Sequence, residues 1–157
     1  MPTTVCRCCG GANSPLRWAC PCCARATLDR LREIKDHTIA IATSGHGGVV
    51  RPRCESRPPA RPSLLSALDD EALRDGDPTA VLLSVLGTLH EVARYVRRQR
   101  GEPGDWQCTI DSEVRYLRIN AEWCTHQTWG HEFVDVLHQL HTRTATFGLN
   151  HQRREAG

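Results

Sequence analysis

The sequence predicts a mainly α fold in which a small N-terminal four-cysteine module precedes a three- to four-helix domain. Three observations carry this expectation. Four cysteines pair as Cys6-x2-Cys9 and Cys20-x2-Cys23, with ten residues between the pairs. Beyond residue 63, apolar residues recur at three- and four-residue spacing, the period of a helix with one buried face. Aromatic residues make up only 5% of the chain, and leucine and valine carry most of the apolar content, which suits helices better than a β-sandwich. A length of 157 residues allows one domain, or a metal-held module beside a compact helical domain. No apolar run approaches the roughly 18 residues of a membrane span.

The cysteine blocks come first in the chain. Two C-x2-C hairpins supply four thiolates, the ligand set of a closed, tetrahedral structural zinc site of the ribbon or knuckle type. Gly10 after Cys9 permits the positive φ that turns backbone amides toward the sulfurs, and Pro21 stiffens the second hairpin. Residues 24–34 are strongly helical, with Leu28, Leu31 and Ile34 on one face, so Cys23 lies at a helix N-terminus where the dipole favours a thiolate. The expected metal ligands are therefore Cys6, Cys9, Cys20 and Cys23, holding one structural Zn2+ ion. Sulfur ligands alone do not separate zinc from iron, although rubredoxin-like domains space their knuckles more widely. A disulfide framework would need an oxidising compartment. Residues 1–5 carry no basic segment leading into an apolar run, and nine cysteines is an odd number, so a cytoplasmic, reduced protein is expected. Substituting Cys8 or Cys22 for Cys6 or Cys20 shortens the chelates to C-C or C-x-C, and these two are read as spare thiols.

The first helix is expected to run through Ile39 and Ile41 and to stop before Ser44-Gly45-His46-Gly47-Gly48, closing a module over 1–42. Residues 43–62 read as an Arg/Pro/Gly linker, a solvated spacer or a basic arm presenting Arg51, Arg53, Arg57 and Arg61. The helical domain then spans 63–150. Its first piece, Ser63 to Leu73, is a short amphipathic segment ended by Asp75-Gly76. Asp77-Pro78 starts a long helix, a cap followed by proline at the first helical position. Val81, Leu82, Val85, Leu86, Leu89, Val92, Ala93 and Val96 form its buried face as far as Arg100-Gly101. A third helix is expected from near Asp111 or Ser112, turning Val114, Leu117, Ala121 and Cys124 inward, until Trp129-Gly130 breaks it. The last runs from about His131 to Phe147, with Phe133 or Val134, Val136, Leu137 and Leu140 on its apolar face.

Charge is unevenly divided. The first 62 residues carry ten basic and four acidic side chains, a formal +6, and residues 63–157 carry ten and fourteen, a formal −4. A polyanion would meet the N-terminal part and be repelled by the rest. The candidate phosphate contacts are Arg7, Arg17, Arg25, Arg30, Arg32, Arg51, Arg53, Arg57 and Arg61. No element spaces base-reading side chains as C2H2 fingers do, so contacts with DNA are expected to be weakly sequence-specific. Lys35 is the only lysine against 19 arginines, a coding bias that points to a high-GC genome such as that of an actinobacterium or its phages.

Other chemistry has little support. His131, Asp135, His138 and His141 share a helix face but lack matching ligands on a second helix, and they read as the polar side of an amphipathic helix. No nucleophile elbow or glycine-rich phosphate loop occurs, so an enzyme is not expected. Trp106, Trp123 and Trp129 are read as partial core and lid residues, and Cys54, Cys108 and Cys124 as isolated, with Cys124 a buried small hydrophobe.

The stretch from Cys6 to Ile34 resembles the zinc ribbon at the N-terminus of competence-type phosphoribosyltransferases: C-x2-C-G, about ten residues, C-x2-C, then a leucine-bearing helix. No phosphoribosyl-diphosphate loop follows. Over the whole chain, Cys6, Cys9, Cys20, Cys23, the helix after them and the Trp123 to Phe133 region resemble small zinc-ribbon-plus-helical-domain proteins of actinobacteria and their phages. Members are described as zinc-finger or DNA-binding-like, so the resemblance implies architecture more than activity. The expectation is a non-catalytic, zinc-binding, nucleic-acid-associated accessory or regulatory factor, its acidic helical domain meeting a protein partner. The alternative is a protein–protein adaptor docking on a host or phage machine.

Overall fold

The computed structural model of the chain describes residues 4–13, 17–44, 78–103 and 106–155. Most of the expected linker, with Arg51, Arg53, Arg57 and Arg61, lies outside these residues, as does the Ser63 to Leu73 segment. Two short strands, β1 (Thr4–Val5) and β2 (Ala12–Asn13), pair antiparallel with Thr4 opposite Asn13 and Val5 opposite Ala12. Four helices follow among the described residues: α1 (Pro21–Ser44), α2 (Pro78–Arg100), α3 (Ile110–Thr125) and α4 (Gly130–Glu155). The fold is mainly helical.

Local chemistry sets most helix ends. Proline opens α1 and α2, where the missing N–H costs nothing because a first-turn amide has no partner inside the helix. α2 stops at Gly101, whose φ of 68° lets its N–H reach the Arg98 carbonyl (3.1 Å) while Glu102 N–H reaches Arg97 (3.0 Å). This is a Schellman closure. α3 starts at Ile110, slightly before the expected Asp111 or Ser112. Thr109 caps it, its hydroxyl accepting from Ser112 N–H at 3.1 Å while Ser112 Oγ accepts from Thr109 N–H at 3.0 Å. α1 extends further than expected, through Ser44, and α4 runs on beyond Phe147 to Glu155.

The inner faces largely agree with the period of the sequence. Val81, Leu82, Val85, Leu86, Leu89, Ala93 and Val96 of α2 are buried, with Val92 partly so. Val114, Leu117, Ala121 and Cys124 of α3 are buried too. On α4 both Phe133 and Val134 turn inward with Leu137, Leu140 and Phe147, whereas Val136, expected on that face, is 37% exposed. α1 is not set apart from the helical domain. Leu31, Ile34 and Ile41 join the same core as Leu89, Leu117 and Leu137, because α1 packs along both α3 and α4. Each such fully buried side chain contributes about 1.5–3 kcal/mol by leaving water.

The cysteine loop is held to the bundle by backbone. The Thr125 carbonyl at the end of α3 accepts from Trp18 N–H (2.8 Å) and Ala19 N–H (3.2 Å). Arg17 reinforces this dock through Glu122 Oε1 (2.7 Å) and Thr125 Oγ1 (3.1 Å). Gly130 is required beneath it: a Cβ there would lie 2.7 Å from the Cys124 carbonyl oxygen and 3.0 Å from that of Thr125.

Candidate metal centre

Two turns bring the cysteines together. In the first, Cys6 N–H donates to the Gly11 carbonyl (2.8 Å), and Gly10, at φ 73°, donates to the Cys6 carbonyl (2.9 Å). The positive φ is strained for any residue with a Cβ, which explains glycine after Cys9. Gly11 N–H then points at Cys9 Sγ, 3.4 Å away. In the second turn, Cys20 stands immediately before α1 and acts as its cap: its Sγ accepts from Cys23 N–H at 3.5 Å, as an N-cap oxygen would. Cys20 N–H in turn points at Cys6 Sγ, 3.3 Å away, and so joins the two turns.

The sulfurs of Cys6, Cys9, Cys20 and Cys23 all lie within 4.8 Å of one another, with Cys6–Cys23 at 3.8 Å and Cys9–Cys20 at 3.5 Å. A tetrahedron with metal–sulfur bonds of about 2.3 Å has edges of about 3.8 Å, so the cluster has the size to hold a metal ion. Cys6, Cys20 and Cys23 are buried and Cys9 is exposed. All four are free thiols.

The electrostatics are uneven. Burial pushes the Cys6 thiol up, but the amides of Cys20, Cys9 and Cys8 aimed at it outweigh burial and bring it down to about 6. Burial and the neighbouring sulfurs push Cys23 well up. Four thiolates confined this closely repel one another, and a divalent cation between them would relieve that repulsion. Cys8 and Cys22 are exposed and stay outside the cluster. The Cys8 thiol points instead at the His131 carbonyl, 3.8 Å away; although the residue is exposed, partial desolvation of its sulfur, with the Cys6 charge, pushes it up to about 11.

The candidate phosphate contacts are placed differently from one another. Arg25 and Arg32 are exposed on α1, and Arg30 is half-buried. Arg7 is exposed and lies over the Trp18 ring, 5.2 Å from its centroid. Arg17 turns inward to Glu122 and Thr125, with only 13% of its side chain exposed, so it serves the dock between loop and bundle. The α4 histidines do not gather into a metal-binding group among the described residues. His141 pairs with Glu33 of α1, and His138 is exposed.

One polar cluster escaped the sequence. Glu113, in the first turn of α3, is completely buried. Trp106 Nε1 donates to its Oε1 at 2.6 Å, His90 Nδ1 lies 3.4 Å from the same oxygen, and Oε2 has no partner among the described residues. Burial holds its carboxyl above the usual range, although Trp106, His90 and Arg97 oppose that shift. Arg97 is sandwiched between Trp106 (4.0 Å) and Tyr116 (3.7 Å), a desolvated cation–π arrangement. In sequence Glu113 reads only as an acid suiting a helix N-terminus, and nothing local marks it as buried. Cys108, expected to be isolated, is disulfide-bonded. Trp129 meets Trp123, Tyr95 and Phe133 edge-on, which makes Trp123 and Trp129 part of the packing as expected.

No described helix is long and apolar enough to cross a membrane. Compared with known proteins, the chain matches no family model, no curated protein and no solved structure.

Proposed function

We propose that Cys6, Cys9, Cys20 and Cys23 bind one structural zinc ion, and that the chain is a non-catalytic nucleic-acid-associated factor contacting phosphates through its N-terminal part. The zinc reading is carried by one observation: four free sulfurs all within 4.8 Å of one another, with the amides of Gly11, Cys20 and Cys23 hydrogen-bonded to them. Four protein ligands leave no position for substrate, which suits a structural ion rather than a catalytic one. Zinc would tie the β-turn to the start of α1, a link the short β1–β2 pairing is too small to maintain alone. The nucleic-acid reading is supported by exposed Arg7, Arg25 and Arg32 on and beside the same module. Such contacts would be salt-sensitive and nearly blind to sequence.

A second reading, a protein–protein adaptor, is favoured by an apolar groove between α1 and α2. Ile39 and Leu83, 52% and 47% exposed, line this cavity of about 330 Å³ with Ala42 and Ile110.

Metal analysis of the purified full chain tests the first part. About one zinc per chain is expected, with loss of metal in Cys9→Ser and Cys23→Ser; full retention in both variants would refute the ligand set. Titration with random duplex and single-stranded DNA tests the second. Binding should fall steeply from about 50 to 200 mM salt. No binding at low salt would overturn the nucleic-acid reading in favour of the adaptor.

A further inference from the structure

We propose that reduction of the Cys108 disulfide opens a second metal site, formed by His90, Cys108 and Glu113 and distinct from the four-cysteine cluster. The three side chains come from α2, the α2–α3 connection and the first turn of α3. One ligand atom from each lies within 4.8 Å of the other two. Bonds of about 2.0–2.3 Å to nitrogen, oxygen and sulfur would draw these atoms together by about an ångström, within the reach of side-chain rotation.

Glu113 supplies the independent sign of a missing partner. The side chain is fully buried, yet Oε2 has no hydrogen bond among the described residues, while Oε1 already takes the Trp106 indole N–H. A cation would offset the cost of leaving a buried carboxylate oxygen unpartnered. Trp106 behaves as an outer partner, orienting the carboxylate as such donors do around bound metals. His90 retains 29% exposure of its side chain, which gives an ion an entry path. Arg97, stacked on Trp106, is a nearby cation that acts on Glu113, and its charge opposes that of a bound ion.

A sulfur already bonded to sulfur is a poor ligand, so oxidation keeps the site closed. Opening it takes two electrons and two protons from a dithiol reductant, which leaves as its own disulfide while the S–S bond of Cys108 breaks into two thiols. The Cys108 thiol then gives its proton to solvent as the metal–sulfur bond forms. A nitrogen, sulfur and carboxylate set suits zinc, and three protein ligands leave a fourth position open.

The test is zinc stoichiometry of the full chain by native mass spectrometry. Zinc is present throughout, and the oxidised protein is compared with protein reduced by a phosphine that is then removed without air. Reduction should add one zinc equivalent. Reduced His90→Ala and reduced Cys108→Ser should each lack it, while His138→Ala, an exposed histidine on α4, should keep it. Helical circular dichroism of His90→Ala checks that this half-buried position leaves the fold intact. No gain on reduction, or a gain that persists in both His90→Ala and Cys108→Ser, would overturn the proposal. The number read is the difference between the two redox states, so zero zinc in the oxidised protein would refute the four-cysteine reading and leave this one standing.

Discussion

Gly130→Ala sets two effects of opposite sign against each other at the turn that carries the cysteine loop. By helix propensity alone the change should help, since alanine is favoured over glycine by up to about 1 kcal/mol in a helix and less at its first residue. The structure reverses this. The new methyl would stand 2.7 Å from the Cys124 carbonyl oxygen and 3.0 Å from that of Thr125. Ordinary carbon–oxygen contacts begin at about 3.3 Å. Neither oxygen can swing away as a side chain would, and the Thr125 carbonyl also holds Trp18 and Ala19 N–H. Forcing an extra methyl into packed surroundings costs about 1–3 kcal/mol, so a net destabilisation of about 1–2 kcal/mol is expected. Gly87 provides the matched control. It lies within α2, and a Cβ there meets nothing within 4 Å, so Gly87→Ala should stabilise by about 0.5–1 kcal/mol. Urea unfolding followed by circular dichroism, at one fixed zinc concentration, compares both variants with the parent. If Gly130→Ala is as stable as the parent while Gly87→Ala gains, the close approach of α4 to the end of α3 is wrong.

Leu31→Ala removes a fully buried side chain of α1 from the common core and should cost about 2–5 kcal/mol in the same urea assay; a cost below about 1 kcal/mol would mean that α1 does not share that core. Arg17→Ala should cost about 1–3 kcal/mol through loss of its charged contacts to Glu122 and Thr125, while zinc content stays the same. Glu113 carries a pH dependence of known sign. Its folded carboxyl titrates above the ordinary 4.5 because of burial, so the folded state holds the proton longer than the unfolded chain. Its contribution to stability is therefore full below 4.5, is lost as pH rises through the raised value, and is constant above it. Glu113→Gln should flatten that part of the pH–stability profile, and an unchanged profile would place the titration elsewhere.

The parts legible in the sequence were those written by neighbours. The two C-x2-C pairs, Gly10 and the helix after Cys23 announced the four-sulfur cluster, because a chelate of two thiols across one tight turn is a local property. Pro78 and Gly101 bounded α2, because proline and glycine act on their own backbone. The inward faces of α2 and α3 followed from period alone. What tertiary structure decided was every role set by distant residues. Arg17 looked like one more phosphate contact, but Thr125, 108 positions away, turns it inward. α1 looked like the tail of a separate module, yet Leu31 and Ile34 are covered by the apolar surfaces of α3 and α4. Val136 matches the helical period and is still 37% exposed, because a period says which residues share a face and not how far the opposing surfaces reach. Glu113 shows the limit most clearly: a carboxylate in a first helical turn is an ordinary surface residue until His90, Trp106 and the core close over it. Burial of a polar side chain is decided by the assembled surfaces, and no apolar period marks it in advance.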